Sequence, residues 1–474
     1  MNQLIWFRND LRLNDQSALW HATQAGTTLA LVIFSPEQWQ RHDDAPIKID
    51  FYLRQLAQLK DDLTALNIPL IVRTIPLWKD IPDELVKLVE HYKIENVYAN
   101  VEVGINELER DHQAQTALNA IQKDLKLYQD KTLFTLGSIR NKSDAPYQVY
   151  TPFKKNCYEL LNISLPQCFP QPEAQSDVPK IKANDSKLPS MTDLGYDEID
   201  KKTQALWPVG EKAAHKRLEV FIKDKINHYH ELRDYPAAEG TSCISPYLTI
   251  GLVSIRQCVQ AIFAKHQGQF LLENKGQEVW LNELLWREFY QQLMFDFPKL
   301  SRHQPFQDQT KTIPWKDNDA HFEAWTQGQT GIPIVDAAMR QLKATGWMHN
   351  RVRMICAMFL TKNLLIDWRK GEQWFMQHLI DGDFAANNGG WQWSASTGTD
   401  AAPYFRIFNP VSQSEKFDPD GKFLREWLPE LKHLDNTQIH EPYASKQISK
   451  LNYPKPIVDL KASRAEAIEV FKNN

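Results

Sequence analysis

The chain has 474 residues and a formal net charge of −4, with 42% hydrophobic and 24% charged residues. This length exceeds a single typical core, so we expect two domains and a connection, with the composition of a soluble globular protein. The charged N-terminus and the lack of any apolar run of ~20 residues argue against a signal peptide and a membrane span. Five scattered cysteines without a CxxC pair predict neither a disulfide framework nor a metal site, and they fit a reducing cytoplasm.

Short apolar runs alternate with amphipathic stretches in the first third of the chain. The runs are LIWF at 4–7, LALVIF at 29–34, LIVRTI at 70–75, NVYA at 96–99 and LFTL at 133–136. Between them lie helix-like stretches such as SALWHATQA and DFYLRQLAQLKDDLTAL. Strands that alternate with helices predict βαβ units and a parallel, Rossmann-like sheet. Neither GxGxxG nor GxxxxGK[ST] occurs, so a dinucleotide held by the usual phosphate loop is not expected.

The remaining pattern defines a connection and a second domain. Five prolines among polar residues at 166–195 indicate a linker, and from about residue 207 the pattern is helical almost to the end. We therefore predict an α/β domain at 1–132, an interdomain linker at 133–205 and a large all-α domain at 206–474.

The helical stretch VWLNELLWREFYQQL, at 279–293, carries a carboxylate among aromatic side chains. On a helix Glu283 shares a side with Trp280 and Arg287, and Trp286 lies one turn away. Glu283 can pair with Arg287 on a solvated face. Alternatively, Glu283 faces a pocket and hydrogen-bonds a ligand, with Trp286 as a stacking wall, because a carboxylate buried among rings needs a partner.

A basic, tryptophan-rich segment follows. Residues 339–370 hold seven Lys or Arg and one Asp, and nine of the chain's 15 tryptophans fall within 280–393. A solvated helix face and tryptophans used as core filler explain such a pattern without a ligand. Positive charge interleaved with stacking side chains is also what a single-stranded or flipped-out nucleotide needs. The apolar residues from Ile355 to Leu365 predict that 346–369 is helical.

The stretch DGDFAANNGGWQW, at 381–393, has no apolar periodicity and combines carboxylates, amides and two indoles. If Trp391 and Trp393 lie on a helical turn, they point to opposite sides and serve different partners. Asp381 and Asp383 can accept from a basic side chain or a ring amide. A metal is disfavoured, since no His or Cys accompanies them at ligand spacing. A purely structural loop is the other interpretation.

Several motifs occur together in a fixed order. They are WFRNDLRLND, EGTSCISPYLTIG, WLNELLWREFY, GWMHNRVRM, DWRKGEQWFMQHLIDGDFAANNGGWQW and FRIFNP. In these motifs the chain resembles the DNA photolyase/cryptochrome family, most closely the class I cyclobutane pyrimidine dimer photolyases of bacteria. The resemblance runs from Trp6 to the closing YPKPIVDLKASRAEA. It implies an α/β antenna-binding domain and an all-α domain that binds FAD and DNA.

The resemblance also implies an activity, a partner and a location. The activity is light-driven repair of cyclobutane pyrimidine dimers, a carbon–carbon lyase reaction in which reduced FADH⁻ lends an electron to a flipped-out dimer. The partner is UV-damaged DNA, bound by a monomer in the bacterial cytoplasm that associates with the nucleoid on DNA. Two other functions stay open: a cryptochrome-type blue-light signalling flavoprotein without repair activity, and an unrelated basic nucleic-acid-binding helical domain.

The positions matching the family's FAD contacts are Tyr229, Thr241, Ser242, Cys243, Ile244, Ser245, Trp280, Arg287, Asn350, Arg353, Asp381, Gly382, Asp383 and Asn387. The run from Thr241 to Ser245 would bind the diphosphate through hydroxyl and backbone N–H groups. Arg353 would pair with Asp381 beside the isoalloxazine. Asn387 would face N5, where a neutral amide suits an anionic flavin. Cys243 stands where the class usually has Arg, so only a backbone contact to phosphate would remain there.

The resemblance assigns the tryptophans to light chemistry and to the lesion. Trp391, Trp368 and Trp315 match the family's electron relay from flavin to surface, and indole is among the few side chains that an excited flavin oxidises. The lesion and its DNA would be held by Arg233, Glu283, Trp286, Asn350, Arg351, Met354 and Trp393. Within that set Glu283 would hydrogen-bond the dimer, and the two arginines would bind phosphates.

A few positions discriminate within the family. Enzymes for (6–4) photoproducts use histidines in the segment matching 346–354, where this chain has Asn350 and Met354, so cyclobutane dimers are favoured. Cryptochromes often replace the position of Asn387 by Asp or Cys and add a C-terminal tail. The antenna is expected to be 5,10-methenyltetrahydrofolate, at positions matching His42, Asn106, Glu107, Ser301 and Arg302. Ser301 and Arg302 replace a Cys-Lys pair associated with folate binders, so an empty site is the alternative.

Overall fold

The computed structural model describes residues 1–266, 268–444 and 451–473. They form two compact units. The first comprises residues 1–226 and 242–301, and the second comprises 227–241 and 302–474. The division predicted from composition, with a linker at 133–205, stays a prediction. Residues 164–200 contain no α-helix or strand, whereas two α-helices lie elsewhere in the predicted linker.

The first unit contains a sheet of five parallel strands. They are β1 (Asn2–Phe7), β2 (Thr27–Phe34), β3 (Leu70–Thr74), β4 (Ile94–Asn100) and β5 (Asp124–Tyr128), in the order β3-β2-β1-β4-β5. Leu4 is in register with Leu29 on one side and Val97 on the other, and all three are buried. The runs at 4–7, 29–34, 70–75 and 96–99 therefore form strands as predicted. The Rossmann-like fold of this part is confirmed.

The prediction of a strand at 133–136 was wrong. The fifth strand is the alternating sequence DLKLY at 124–128, of which Leu125 is buried. The backbone N–H groups of Leu133 and Phe134 donate instead to the buried carboxylate of Glu288, at 2.8 and 3.3 Å. Because these donors are used by a side chain, the segment has no need of a neighbouring strand.

The described residues contain 20 α-helices. They are α1 (Ser17–Ala25), α2 (Pro36–Arg41), α3 (Pro46–Ala65), α4 (Ile81–His91), α5 (Ile105–Ala120), α6 (Tyr150–Ile163), α7 (Lys201–Leu206), α8 (Glu211–Val220), α9 (Tyr229–Leu232), α10 (Ser245–Thr249), α11 (Ile255–Phe263), α12 (Lys275–Asp296), α13 (Asp319–Gln327), α14 (Pro333–Thr345), α15 (Asn350–Met358), α16 (Trp368–Met376), α17 (Phe384–Ala395), α18 (Pro410–Phe417), α19 (Lys422–Trp427) and α20 (Leu460–Lys472). No helix in the described ranges is long and apolar enough to cross a membrane.

The predicted helix at 346–369 is interrupted. His349 caps α15 by accepting from the Arg351 N–H at 3.1 Å, and the α-helix ends at Met358 in a π-helical turn, Phe359–Asn363. Leu365 then has a φ of +53°, which no continuing helix allows. Leu364 and Leu365 were misread as helical, since a short buried apolar run does not reveal its backbone conformation.

The core of the second unit is rich in tryptophan. Trp325, Trp368 and Trp391 are almost completely buried there, together with Phe375. Helix α17 packs against both α15 and α16 at this cluster. At Gly371 a Cβ atom would lie only 2.1 Å from the Trp391 ring, so α16 needs glycine where α17 approaches it. Some tryptophans are therefore core residues, as the simpler interpretation held.

Candidate functional site

The stretch at 381–393 leads into a helix. Asp383 caps α17, and its carboxylate accepts from the Ala386 N–H at 3.1 Å. On this helix Trp391 is 2% exposed, whereas Trp393 is half-buried. The two indoles therefore differ in their surroundings, as two positions on one helical turn should. The cap explains one of the two aspartates that the sequence left open.

The other aspartate pairs with an arginine. Arg353, on α15, donates through one guanidinium nitrogen to both carboxylate oxygens of Asp381, at 3.0 and 2.9 Å. A second donor of Arg353, Nε, is held by the Met348 backbone oxygen at 2.7 Å. Asp381 is 8% exposed and Arg353 is half-buried. The pair thus forms a fixed, partly desolvated dipole, which suits the recognition of a polar ring edge.

Glu372 orients the two asparagines of α17, one through its backbone oxygen and one through its buried carboxylate. Asn387 donates to the backbone oxygen of Glu372 at 2.9 Å, and Asn388 donates to its carboxylate at 2.7 Å. Glu372 is 1% exposed, and its other oxygen meets His303 Nδ1 at 2.9 Å. Gln392, one turn after Asn388, donates to the Asn388 side-chain oxygen at 2.9 Å. The plane of the Asn387 amide is therefore set before any ligand binds.

The three tryptophans assigned to a relay range from buried to accessible. Trp391 and Trp368 are 2% and 1% exposed, and Trp315 is half-buried. Trp391 also contacts rings that sequence reasoning missed: Phe375 at a centroid distance of 4.9 Å and Trp325 at 6.0 Å. Nothing in the spacing of Trp325 could have revealed this contact, which arises from the packing of the second unit.

In the first unit, α12 presents polar and aromatic side chains on one side. Glu283, Trp286 and Arg287 are half-buried, whereas Trp280 is 2% exposed and packs on Phe221 at 5.0 Å. Arg287 donates to the Lys131 backbone oxygen at 2.8 Å. Partial exposure leaves Glu283 and Trp286 accessible to a ligand. It also shows that the helix does not bury its unusual carboxylate among rings.

The segment assigned to the diphosphate is irregular. Ile244 is buried, while Ser242, Cys243 and Ser245 are half-buried, and Cys243 has a φ of +47°. Ser245 is the first residue of the short helix α10, and it accepts from the Thr249 hydroxyl through its backbone oxygen at 2.9 Å. Thr241, Tyr229 and Gly382 belong to the second unit, where Tyr229 is 8% exposed. These residues offer hydroxyl and backbone donors rather than a glycine loop.

Two arginines of the second unit surround one aspartate. Arg351 donates to Asp234 at 2.6 Å, and its guanidinium lies 4.4 Å from the Phe417 ring centroid. Arg233 Nε lies 3.7 Å from the same Asp234 oxygen. Two positive charges against one negative charge leave a local excess of positive charge, which favours a phosphate nearby. On α15, Asn350 is exposed and Met354 is half-buried.

His349 was not singled out in the sequence, although it lies between assigned residues. It is 1% exposed, and burial lowers its pKa to about 4. Its Nδ1 caps α15, and its Nε2 has no hydrogen-bond partner among the described residues. The imidazole is therefore neutral at physiological pH, and its role is to cap the N-terminus of α15. An N-cap position before a helix was the signal that could have identified it.

Of the positions assigned to the antenna, two are in contact. The Asn106 amide lies 3.0 Å from His42 Nε2, and the His42 ring meets Trp78 edge-on at 4.7 Å. Burial, reinforced by the negative charge of Glu102, raises the pKa of Glu107 to about 7. Ser301 donates to Met294 Sδ at 3.0 Å, and Arg302 is exposed in the other unit.

A cleft lined by several charged side chains lies in the first unit, where β1 and β4 end. This is the point at which the strand order reverses, the usual ligand position in doubly wound sheets. Its walls include Arg8, Asp10, Arg12 and Glu102. Burial raises the pKa of Asp10 to about 6. Burial opposes ionisation of Glu102 too, but nearby arginines outweigh it and lower its pKa to about 2. Sequence reasoning missed this cleft, because Glu102 and Asp130 lie about 90 to 120 positions after Arg8, Asp10 and Arg12 in the chain.

Comparisons with known proteins cover both units. Residues 3–173 match the family described as DNA photolyase, and residues 280–473 match the family described as FAD binding domain of DNA photolyase. The chain is 42% identical over 473 residues to a deoxyribodipyrimidine photo-lyase of Vibrio cholerae, covering 99% of each chain. It is 43% identical over 480 residues to one from Escherichia coli, covering 99% of this chain and 98% of the relative.

Solved structures agree with this result. The crystal structure of a cryptochrome from Synechocystis sp. PCC6803 matches with a TM-score of 0.88 and 30% identity, covering 99% of each chain. The fold is thus common to a protein named as a cryptochrome and to a chain whose sequence relatives are named photo-lyases. The two-domain architecture predicted from the resemblance is confirmed. Together, the matches over both units and the identity along the full length show that the chain belongs to the DNA photolyase family.

Proposed function

We propose that this protein is a deoxyribodipyrimidine photo-lyase, which repairs cyclobutane pyrimidine dimers in UV-damaged DNA by light-driven electron transfer. The observation that carries this function is the identity of 42–43% along the whole chain to bacterial enzymes of that name. Blue-light signalling without repair is less supported, because these full-length relatives are named for the lyase activity. Asn387, a position that cryptochromes often replace by Asp or Cys, also supports the lyase. Asn350 and Met354 occupy the segment in which enzymes for (6–4) photoproducts use histidines, which favours cyclobutane dimers as the lesion.

The cofactor is FAD, and its reduced form supplies, on absorbing light, the electron that opens the cyclobutane ring and that returns afterwards. The residues of the second unit fit a flavin ring. Arg353 supplies a hydrogen-bond donor and Asp381 an acceptor, and their ion pair holds both in place. Asn387 supplies an amide whose orientation is fixed by its hydrogen bond to the Glu372 backbone oxygen. Fixed dipoles of this kind stabilise charge without reorganising during the reaction. We assign the remaining FAD contacts as the family resemblance places them, including Trp280, Arg287 and the run from Thr241 to Ser245.

The lesion is held by side chains that remain partly accessible. Glu283 accepts from a base, and Trp286 and Trp393 each stack on one, because their half-buried indoles combine a ring face with solvent access. We also assign Asn350 and Met354 to the lesion, as the family resemblance implies. Arg233 and Arg351 bind backbone phosphates, and this binding weakens their ion pairs with Asp234. A dimer is already poorly stacked and paired, so extruding it from the duplex costs less than for an intact base, a point made generally for base-flipping enzymes.

The tryptophans at 391, 368 and 315 supply electrons that restore the active redox state of the cofactor. Trp391 and Trp368 are buried and Trp315 is half-buried, which suits a path from an enclosed cofactor to solvent that ends at Trp315. The final electron comes from an external reductant at the surface. Repair itself returns its electron, so this path serves activation and not turnover.

For the antenna we propose 5,10-methenyltetrahydrofolate, supported by the contact of His42 with Asn106 and by the adjacent Glu107. We further propose a monomer that acts in the bacterial cytoplasm and associates with the nucleoid when bound to damaged DNA. The absorption spectrum of the freshly purified protein tests the chromophores: flavin bands are expected, with a separate near-ultraviolet band if folate is bound. A colourless protein would favour the unrelated nucleic-acid-binding domain.

The decisive experiment is a repair assay. The protein is reduced, bound to UV-irradiated oligo(dT) and illuminated, and the absorbance of intact thymine is followed. Recovery in light, with none in the dark or with unirradiated DNA, is expected. Bound flavin without recovery would favour the signalling function instead.

A further inference from the structure

Trp286 is supported on one face by a tyrosine from another helix of the same unit. Tyr150, the first residue of α6, stacks on the Trp286 ring with centroids 3.6 Å apart and planes inclined by 9°. This is the closest of the ring contacts measured for Trp286. Phe289 meets the indole edge-on at 5.8 Å, and Tyr290 is tilted against it at 5.7 Å. The indole is therefore covered on one side by a parallel ring, while it stays partly exposed to solvent.

The tyrosine is itself held firmly. Tyr150 is 7% exposed, and its hydroxyl donates to the backbone oxygen of Asn282 on α12 at 2.7 Å. A second tyrosine of α6, Tyr158, donates to the Asn282 side-chain oxygen at 2.8 Å. Phe153 packs on Phe289 at 5.0 Å, so α6 also contacts α12 through apolar rings. The start of α6 is thus anchored to the helix that carries Trp286.

The same phenol lies close to the carboxylate of Glu283. Burial, followed by the negative charge of Glu283, raises the pKa of Tyr150 above its ordinary value. The phenol is accordingly neutral, and it contacts the same turn of α12 that carries both side chains assigned to the lesion. A neutral aromatic ring beside Glu283 limits solvent on one side of the carboxylate, which strengthens a hydrogen bond that the carboxylate accepts from a base.

We propose that Tyr150 is a positioning residue of the lesion pocket, which fixes the plane of Trp286 so that its opposite face is presented to a base of the dimer. This proposal rests on the proposed function, in which Trp286 stacks on the lesion. A side chain that is already ordered loses less conformational freedom on binding, so a preset indole binds more tightly than a mobile one. Tyr150 contributes no contact to the DNA in this role.

The test compares three variants of α6 by their affinity for a single-stranded oligonucleotide that contains one dimer. Tyr150→Leu removes the ring and should weaken this affinity by roughly 2- to 12-fold, the equivalent of one aromatic pair. Tyr150→Phe keeps the ring and loses only the hydroxyl, so it should restore most of the affinity. Tyr158→Phe is the matched control, since it also loses a hydrogen bond to Asn282 but does not touch Trp286.

Affinity for the undamaged oligonucleotide, FAD content and melting temperature are measured alongside. A positioning role predicts that Tyr150→Leu changes the ratio of damaged to undamaged affinity while FAD content stays constant. Equal losses in Tyr150→Leu and Tyr158→Phe, or no rescue by Tyr150→Phe, would show that only the docking of α6 matters and would overturn the proposal. If Tyr150→Leu does not fold, Tyr150→His, which has a smaller ring, takes its place in the same comparison.

Trp286→Leu separates this proposal from the function on which it rests. If Trp286→Leu binds the dimer as the wild type does, the assignment of Trp286 to the lesion is wrong. If Trp286→Leu binds weakly and Tyr150→Leu binds normally, the assignment holds and the positioning role of Tyr150 fails.

Discussion

Helices α12 and α17 both carry side chains assigned to the cofactor and the lesion, but they hold those side chains by different means. On α12 the orienting contacts are aromatic: Tyr150 lies on Trp286, and Phe289 meets its edge. On α17 they are polar: the Asp383 cap and the hydrogen bonds of both asparagines to Glu372. The difference follows from the chemistry to be presented. A stacking surface needs a fixed plane, and a flavin edge needs fixed donors and acceptors.

The comparison also teaches how each helix should respond to mutation. Ring packing is spread over many atom pairs and has no strict direction, so single changes should reduce function gradually. A buried hydrogen-bond network depends on each partner, because a donor or acceptor left alone in the interior costs more than its bond contributed.

Light-driven reduction of the flavin and repair of the dimer should separate completely when the tryptophan path is interrupted. Trp315→Phe interrupts the path that begins at the buried Trp391, so light-driven reduction of the flavin should be nearly abolished. Repair by chemically reduced enzyme should remain, since repair does not use the path. Photoreduction and repair are followed by flavin absorbance and by thymine recovery. Trp374→Phe is the control, because Trp374 is also half-buried and stacks on His378, at 3.9 Å, without belonging to the path. Parallel loss of both activities in Trp315→Phe would contradict the relay.

Removal of the central carboxylate should destabilise the polar helix. Glu372→Ala deprives Asn388 and His303 of a buried acceptor, and the free energy of unfolding should fall by about 1.5–3 kcal/mol, the usual range for hydrogen bonds to a charged group. Urea denaturation measures this value. Gln373→Ala, at the adjacent exposed position on α16, should change stability little. If Glu372→Ala unfolds with the same free energy as the wild type, the packing of rings, and not the hydrogen bonds of Glu372, holds α17 in place.

The free energy of unfolding should decrease in acid because of His349, the N-cap residue of α15. In the folded state the pKa of His349 is about 4, whereas an unfolded histidine has a pKa of about 6.5. The unfolded chain therefore binds a proton between these values that the folded chain does not, and unfolding becomes easier as the pH falls below about 6.5. The expected loss between pH 6.5 and pH 5 is about 1.6 kcal/mol.

His349→Asn isolates this contribution, since asparagine is a good N-cap and does not titrate. The variant should show a smaller decrease in melting temperature than the wild type over the same pH range. Identical pH profiles for the two proteins would assign the acid sensitivity to other groups.

The smallest effect is expected on the aromatic helix. Glu283→Ala removes one hydrogen bond to the dimer, worth about 0.5–1.5 kcal/mol, which corresponds to roughly a 2- to 12-fold lower repair yield per absorbed photon. FAD should stay bound, because the packing of α12 is unchanged. The control is Glu278→Ala, on the same helix, where Glu278 pairs with Lys275 at 2.8 Å and is not assigned to the lesion. Release of FAD from Glu283→Ala would show that Glu283 is structural.

Much of the first unit could be predicted because local signals and burial agree there. The runs at 4–7, 29–34, 70–75 and 96–99 form strands, and the stretch SALWHATQA coincides with α1. The errors occurred where a side chain distant in sequence took over a backbone group. Glu288 binds the N–H groups of Leu133 and Phe134, 155 and 154 residues away, and so replaces the expected strand. No local pattern reports such a partner.

For the candidate site, the sequence by itself determined the chemistry: which motifs are present, hence the family, the cofactor and the residue types available to them. The tertiary structure alone decided how those residues are held. It made Asp383 a helix cap, joined Asp381 to Arg353 and placed Tyr150 on Trp286 across 136 positions of the chain. The reason is physical. The type of a side chain sets what it can bind, but its orientation depends on hydrogen bonds and packing with residues that only folding brings together.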